Sequence, residues 1–261
     1  MPLHVDVRGS GPPLVVLHGF TQTARLWGPF GELLAESRTL VALDLPGHGD
    51  SGSVQADLPT TAGLVAEAIR AEVGGEPCAL LGYSLGARVG LHVALCAELD
   101  LRGVVFIGVT AGIEDPDERG RRRRSDDNMA DELEASGDVE RFIDAWLRGP
   151  LFDRLDANDD AQRSERLRNS ATGLASSLRL CGTGTQEPMW DLLPTLTSPV
   201  LAMAGTDDTR FAAHALRVTR LVPHGVASLV PGGGHAVHLA QPEQAGRIVR
   251  HWLDTVDGRP T

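Results

Sequence analysis

The sequence contains no lysine: its 24 basic residues are all arginine, set against 35 acidic ones. That absence excludes Schiff-base chemistry on a lysine amine. Positive charge is in deficit overall, and a formal net charge of −11 argues against nonspecific binding to nucleic acid or to an anionic membrane. Long apolar runs are missing too. No stretch approaches the ~20 residues of a membrane span. The N-terminus shows no basic segment leading into an apolar one, as a secretory signal would. The expected address is the cytoplasm, with no membrane partner. Cysteine is scarce. Cys78, Cys96 and Cys181 form no C-x-x-C pair, so neither a disulfide framework nor a zinc site is suggested, and they read as small buried hydrophobes.

What is present is the material of a soluble α/β protein. The chain has 261 residues, 42% hydrophobic and 23% charged, a normal size for one α/β domain carrying an insertion. Short apolar runs bounded by Gly, Pro or Asp recur: "LVVLHG" (14–19), "TLVALD" (39–44), "CALLGY" (78–83), "GVVFIG" (103–108), "PVLAMAG" (199–205) and "VASLV" (226–230). They are continuously apolar rather than alternating, as strands buried on both faces of a parallel sheet are. Helical patterns lie between them, at 61–73, 85–99 and 242–256, the last opening on a proline. This alternation predicts a mostly parallel central sheet flanked by helices, with "LHVDV" (3–7) as a possible antiparallel edge. Between 108 and 199 no buried strand is visible. The segment is polar and helical in pattern, so residues 115–179 read as a helical cap inserted into a core of 1–114 and 180–261.

Gly82-Tyr83-Ser84-Leu85-Gly86 fits G-x-S-x-G, follows a predicted strand and opens a predicted helix. That is the setting of a nucleophile elbow, in which the serine occupies a strained turn at a helix N-terminus. A triad needs an acid and then a histidine further along the chain. "AGTDD" offers Asp207 and Asp208, and "PGGGHAVHL" offers His235 and His238; both segments follow predicted strands. His4, His92, His214, His224 and His251 read as structural or exposed. "LHGF" supplies the other half of an oxyanion hole, so that the backbone N–H groups of Phe20 and Leu85 would converge on an oxyanion.

The order "LHGF", "DLPGHGDS", "GYSLG", "GTDD", "GGGH" resembles the α/β-hydrolase superfamily over nearly the whole chain. The superfamily's spacing implies Asp208, three residues after Gly205, as the triad acid, and His235 of the Gly-His pair as the base. A narrower resemblance rests on "GYSLGAR", "RRRSDDNMAD", "FIDAWLRGPLF", "LRNSATGL", "GTGTQEPMWDLL", "GTDDTRF" and "GHAVHL". Together these are similar to 2-succinyl-6-hydroxy-2,4-cyclohexadiene-1-carboxylate (SHCHC) synthases of menaquinone biosynthesis. The resemblance implies a lyase that eliminates pyruvate from a tricarboxylate, with no metal or organic cofactor. It implies Tyr83, Arg88, Arg122, Trp146 and Arg168 as substrate-binding residues, the three arginines facing one pocket. Guanidinium forks bind carboxylates bidentately and keep their charge when partly buried, which suits a substrate with three of them. A carboxylesterase or carbon–carbon hydrolase working through an acyl-serine, or a silent ligand-binding protein on the same fold, are the competing expectations.

Overall fold

The computed structural model describes residues 2–152, 155 and 160–258. The chain runs β1 (Val5–Gly9), β2 (Pro13–Leu17), α1 (Gly28–Ala35), β3 (Thr39–Leu43), α2 (Leu58–Val73), β4 (Cys78–Tyr83), α3 (Leu85–Cys96) and β5 (Leu101–Ile107). The insertion follows, with α4 (Pro116–Ser136), α5 (Val139–Leu147), α6 (Asp160–Arg166) and α7 (Ala171–Cys181). The core resumes with β6 (Val200–Gly205), α8 (Thr209–Leu221), β7 (Gly225–Val230), α9 (Val237–Ala240) and α10 (Pro242–Val256).

The strands form one sheet in the order β1-β3-β2-β4-β5-β6-β7. Only β1 is antiparallel, pairing with β3 from Val5 opposite Leu43 to Gly9 opposite Thr39. Central strands such as β4 and β6 are buried at every position, which is why their sequences are unbroken apolar runs. The two sheet faces carry separate cores. One holds the apolar sides of α2, α3 and α8; the other holds Trp27, Phe30, Leu34, Val249, Trp252 and Leu253 of the α1–α10 side.

Element ends differ from the periodicity where local chemistry intervenes. The helix predicted at 61–73 begins at Leu58, because the Asp57 side chain accepts the Thr60 N–H at 2.9 Å and caps it. The helix predicted at 85–99 ends at Cys96. Cys96 is exposed, unlike Cys78 and Cys181, so its reading as a buried hydrophobe is corrected. The insertion's last helix, α7, continues to Cys181, two residues past the expected boundary of 179. The glycines of "GTGTQ" explain that return: a side chain on Gly184 would strike the Arg123 backbone, and one on Gly182 would lie 2.6 Å from the Asp126 carboxylate.

Arg38 is buried at the start of β3 and donates to Asp254 (2.7 Å) and Asp257 at the end of α10. It ties the C-terminal helix to the sheet. Arg38→Ala leaves two carboxylates facing an empty site, which should lower stability by about 3 kcal/mol. The check is a urea midpoint measurement. An unchanged midpoint sinks the claim that this ion cluster anchors α10.

Candidate active site

Ser84 sits between β4 and α3 with φ 51° and ψ −105°, in the left-handed region that a non-glycine residue enters only under constraint. The constraint is visible in its neighbours. A side chain on Gly82 would strike the Gly86 carbonyl, and one on Gly86 would strike the Leu17 carbonyl at the end of β2. Ser84 N–H donates to the Ile107 carbonyl at 2.9 Å, fixing the turn against β5. The hydroxyl therefore stands at the carboxyl end of the sheet, in front of the N-terminus of α3.

Three loops bring the triad together. Ser84 Oγ lies 2.9 Å from His235 Nε2, and His235 Nδ1 lies 2.8 Å from Asp208 Oδ2. With Nδ1–H donating to the carboxylate, Nε2 is left to accept the serine proton. Asp208 Oδ1 accepts the Phe211 N–H at 3.2 Å, so the same carboxylate caps α8. Asp207 is exposed, 3.4 Å from the Thr206 hydroxyl. Close backbone approach places the histidine as well: Gly205 tolerates no side chain beside the Gly233 carbonyl, and Gly108 (φ 64°) would put one 2.8 Å from the His235 ring.

The loops after β2 and β3 are stapled by histidine. His18 Nδ1–H donates to the Gly19 carbonyl at 2.8 Å while Nε2 accepts the Leu45 N–H at 3.0 Å. His48 Nδ1–H donates to the Pro46 carbonyl at 3.0 Å and Nε2 accepts the Thr21 N–H at 3.3 Å. Both rings are neutral, because burial pushes His18 down to about 4 and His48 down to about 3. Asp44 accepts from the Ala24 N–H (2.6 Å) and the Asp50 N–H (2.8 Å). Phe20 is carried on this framework. Leu85 opens α3, where a backbone N–H has no partner within the helix.

A cavity of about 180 Å³ lies over Ser84, with Phe20, Leu85 and His235 in its wall. The insertion contributes Arg122, Asp126, Trp146 and Leu178. Arg88 (8% exposed) reaches it from one turn past the serine and donates to the Gly182 carbonyl at 3.4 Å. Burial pushes Arg88 down to about 10, with the neighbouring Arg122 adding to the fall and Asp126 opposing it, so it is charged at neutral pH. Arg122 Nε donates to the buried Asp126 at 2.8 Å, leaving the terminal nitrogens of its fork outside that bond. Arg210 and His214 of α8 also line it, with Arg210 3.7 Å from Glu118 of α4. Composition and spacing had marked His214 as structural or exposed and had not marked Arg210.

Two expected substrate contacts stand elsewhere. Arg168 does not join the cavity: its side chain is 30% exposed and donates to Asp50 (3.0 Å) and to Glu165 (3.4 Å). It is Arg166, two residues earlier, that is buried, although it does not line the cavity either. Arg166 is 0% exposed, donates to Thr21 Oγ1 at 2.5 Å and lies 5.9 Å over the Phe152 ring. The two are on different sides of the chain because α6 ends at Arg166. Tyr83 is buried behind the triad, with ring centroids 5.4 Å from His235 and 4.3 Å from His238, and is not part of the cavity wall. Trp146 is in that wall, 5.1 Å from Phe20.

A parallel sheet with a strained serine at its carboxyl edge, a histidine and an acid delivered by later loops, and a helical insertion above defines an α/β hydrolase. Residues 14–246 match the alpha/beta hydrolase family, and the chain belongs to it. Within it the chain belongs to the 2-succinyl-6-hydroxy-2,4-cyclohexadiene-1-carboxylate synthase family. The Photorhabdus laumondii synthase of that name is 31% identical over 93% of this chain and 85% of its own. A Bacillus subtilis (strain 168) protein provisionally given the same name is 33% identical over 93% of this chain and 90% of its own. The solved structure of MenH from S. aureus superposes with a TM-score of 0.91 at 26% identity, covering 97% of this chain and 99% of that one.

Ser84→Ala and His235→Ala, correctly folded, should each lower turnover by about a thousandfold or more, since triad members act as one unit. Near-normal kcat in either variant removes the triad from the mechanism. A second expectation concerns His238. It is buried among the Trp27, Phe30 and Tyr83 rings, neither of its ring nitrogens has a hydrogen-bond partner among the described residues, and burial pushes it down to about 3. The unfolded chain takes up a proton there below about pH 6.5 that the folded chain refuses, so stability falls as pH drops from 6.5 towards 4. His238→Phe should flatten that fall by about 1.4 kcal/mol per pH unit. Urea midpoints at pH 7 and pH 5 decide it: an unaltered pH slope refutes the neutral, uncompensated histidine.

Proposed function

We propose that the protein is a carbon–oxygen lyase that eliminates pyruvate from 2-succinyl-5-enolpyruvyl-6-hydroxy-3-cyclohexene-1-carboxylate to give SHCHC. The observation that carries this reading is the pair Arg88 and Arg122 in the wall of the cavity over a hydrogen-bonded Ser84–His235–Asp208 array. A neutral ester gives no return on the cost of desolvating a cation such as Arg88. A substrate with carboxylates on its ring, its succinyl arm and its enolpyruvyl ether does. The family membership supports the same substrate.

His235, oriented by Asp208, accepts the Ser84 hydroxyl proton, and Ser84 Oγ removes the ring proton alpha to the succinyl ketone. The electron pair of that C–H bond becomes a ring double bond. The existing ring double bond shifts, the ring carbon–oxygen bond breaks, and the enolpyruvyl oxygen leaves with the electron pair. It recovers the proton held by His235 and tautomerises to pyruvate. Negative charge on the ketone oxygen is held by the Phe20 and Leu85 amides at the N-terminus of α3. Arg88 and Arg122 hold carboxylates, Trp146 and Phe20 face the ring, and Arg210, also in the wall, takes a further carboxylate in place of Glu118, 3.7 Å away. None of these steps calls on a metal or an organic cofactor. Among the described residues no helix is long and apolar enough to cross a membrane, and a small anionic acid handled in the cytoplasm fits that.

Pyruvate release from the enolpyruvyl precursor by purified protein is the direct test, and its absence sinks the lyase assignment. Arg88→Ala and Arg122→Ala should each lower kcat/KM roughly tenfold to a hundredfold, the loss of one charge-assisted contact. Hydrolysis of p-nitrophenyl acetate, which carries no such anions, should change far less. Arg168→Ala serves as the control and should stay near wild type, its charge being taken up by Asp50 and Glu165. Equal losses on triacid and neutral ester would favour the esterase.

A further inference from the structure

The loop that carries Phe20 is held only partly from within, by the Gln22 N–H on the Gly19 carbonyl at 3.1 Å. Thr21, the next residue, has φ 69°, a left-handed backbone that a β-branched residue does not adopt unaided. Gly19, on the other side, has its N–H fixed on Gln22 Oε1 at 2.8 Å. The Phe20 N–H shares its peptide plane with the Gly19 carbonyl, which accepts from His18 Nδ1–H (2.8 Å) and the Gln22 N–H (3.1 Å); on its other flank stands Thr21, whose N–H goes to His48 Nε2 (3.3 Å) and whose carbonyl and hydroxyl are held by the insertion. The Thr21 carbonyl accepts Asn169 Nδ2–H at 2.8 Å. Its hydroxyl accepts Arg166 Nη1–H at 2.5 Å. Two residues on, the Thr23 hydroxyl donates to Glu165 Oε2 at 2.8 Å.

Asn169 is the centre of this clamp. A side-chain amide offers two N–H donors and a carbonyl, and this one places both ends. Nδ2 also donates to the Arg166 carbonyl at 2.8 Å, and Oδ1 accepts the Gly49 N–H at 2.9 Å. Gly49 (φ 46°) belongs to the loop after β3, and no side chain fits there against the Asp44 carboxylate. One buried, uncharged group therefore joins the loop after β2, the loop after β3 and the insertion.

We infer that Asn169 is a positioning residue of the oxyanion hole: by holding the Thr21 carbonyl to Gly49 and the insertion, it aims the Phe20 N–H at the developing negative charge. The inference rests on the role proposed above for Phe20, not on the identity of the substrate. Aligned donors are worth most where charge develops, and a displacement of about 1 Å costs on the order of a hundredfold in rate.

The test uses Asn169→Ala, which removes all three bonds, and Asn169→Asp, which keeps an acceptor for Gly49 but turns a carboxylate oxygen onto the Thr21 carbonyl. Two rates are measured per active site, sites being counted from the endpoint of phosphorylation. One is pyruvate formation, with kcat and KM separated. The other is the second-order rate of Ser84 phosphorylation by diisopropyl fluorophosphate, in which Ser84 Oγ bonds phosphorus, fluoride leaves and the phosphoryl oxygen occupies the oxyanion hole. That reagent needs neither the arginines nor the triacid, so it reports on Asn169 even if the lyase assignment fails. Both variants should lose roughly tenfold to a hundredfold in kcat and in the phosphorylation rate, with KM changed less than about twofold. Should Asn169→Ala not fold, Asn169→Asp carries the test. A lower melting temperature with both per-site rates intact makes Asn169 a structural clip and overturns the proposal. A raised KM with a normal phosphorylation rate overturns it too.

Discussion

Backbone meeting backbone at the carboxyl edge of the sheet is the constraint on which the rest depends. Gly86 lies against the Leu17 carbonyl and Gly82 against the Gly86 carbonyl, distances that leave no room for a single carbon atom. That contact forces Ser84 into a left-handed turn and seats α3 at the end of β2. It also brings the residues after β2, Phe20 among them, beside the residue that opens α3. A second such contact, Gly205 against the Gly233 carbonyl, draws the acid loop after β6 and the histidine loop after β7 together. The triad is thus a product of strand order: Ser84, Asp208 and His235 are far apart in the chain but emerge at the same carboxyl edge, after β4, β6 and β7.

Electrostatics add what the scaffold lacks. A chain of formal charge −11 repels anions at long range. The cavity reverses this locally by concentrating guanidinium groups from three helices, Arg88 of α3, Arg122 of α4 and Arg210 of α8. Asp126 is the counterweight. Buried beside Arg88 and bonded to Arg122 Nε, it lets two like charges share one wall. Without that carboxylate, Arg122 would weigh more heavily against the charged form of Arg88.

Much of this was readable in the sequence because it depended on local pattern. Buried strands are continuous apolar runs, and the elbow is a tight turn whose glycines are contiguous with the nucleophile. The choice of Asp208 over Asp207 rested on the superfamily's spacing from Gly205, and the structure puts Asp208 on His235 and leaves Asp207 exposed. The arginines of the insertion were harder. Arg166 and Arg168 flank one leucine, and nothing local distinguishes them; the end of α6 decides which one is buried. Asn169 stands inside the motif "LRNSATGL", but its role was not readable there, since the asparagine is indistinguishable from an ordinary turn residue until Thr21 and Gly49 arrive from elsewhere in the fold. Asp126 stands likewise inside "RRRSDDNMAD", where nothing local says which cation it serves. Long-range hydrogen bonds, unlike periodicity, leave no trace in neighbouring residues.

The bonds from Glu165, Arg166 and Asn169 to Thr23 and Thr21 bear on how such an enzyme can change over evolutionary time. Insertions above an α/β sheet are commonly thought of as exchangeable modules that trade one substrate for another over an unchanged engine. Here the roof and the engine share parts. A chimera that grafts another roof onto this sheet would lose the partners of a strained threonine next to Phe20, and so would alter the chemistry along with the specificity. A substitution inside the cavity, at a position such as Arg210, leaves that grip intact, whereas the segment from Glu165 to Asn169 cannot be exchanged without disturbing the loop it holds.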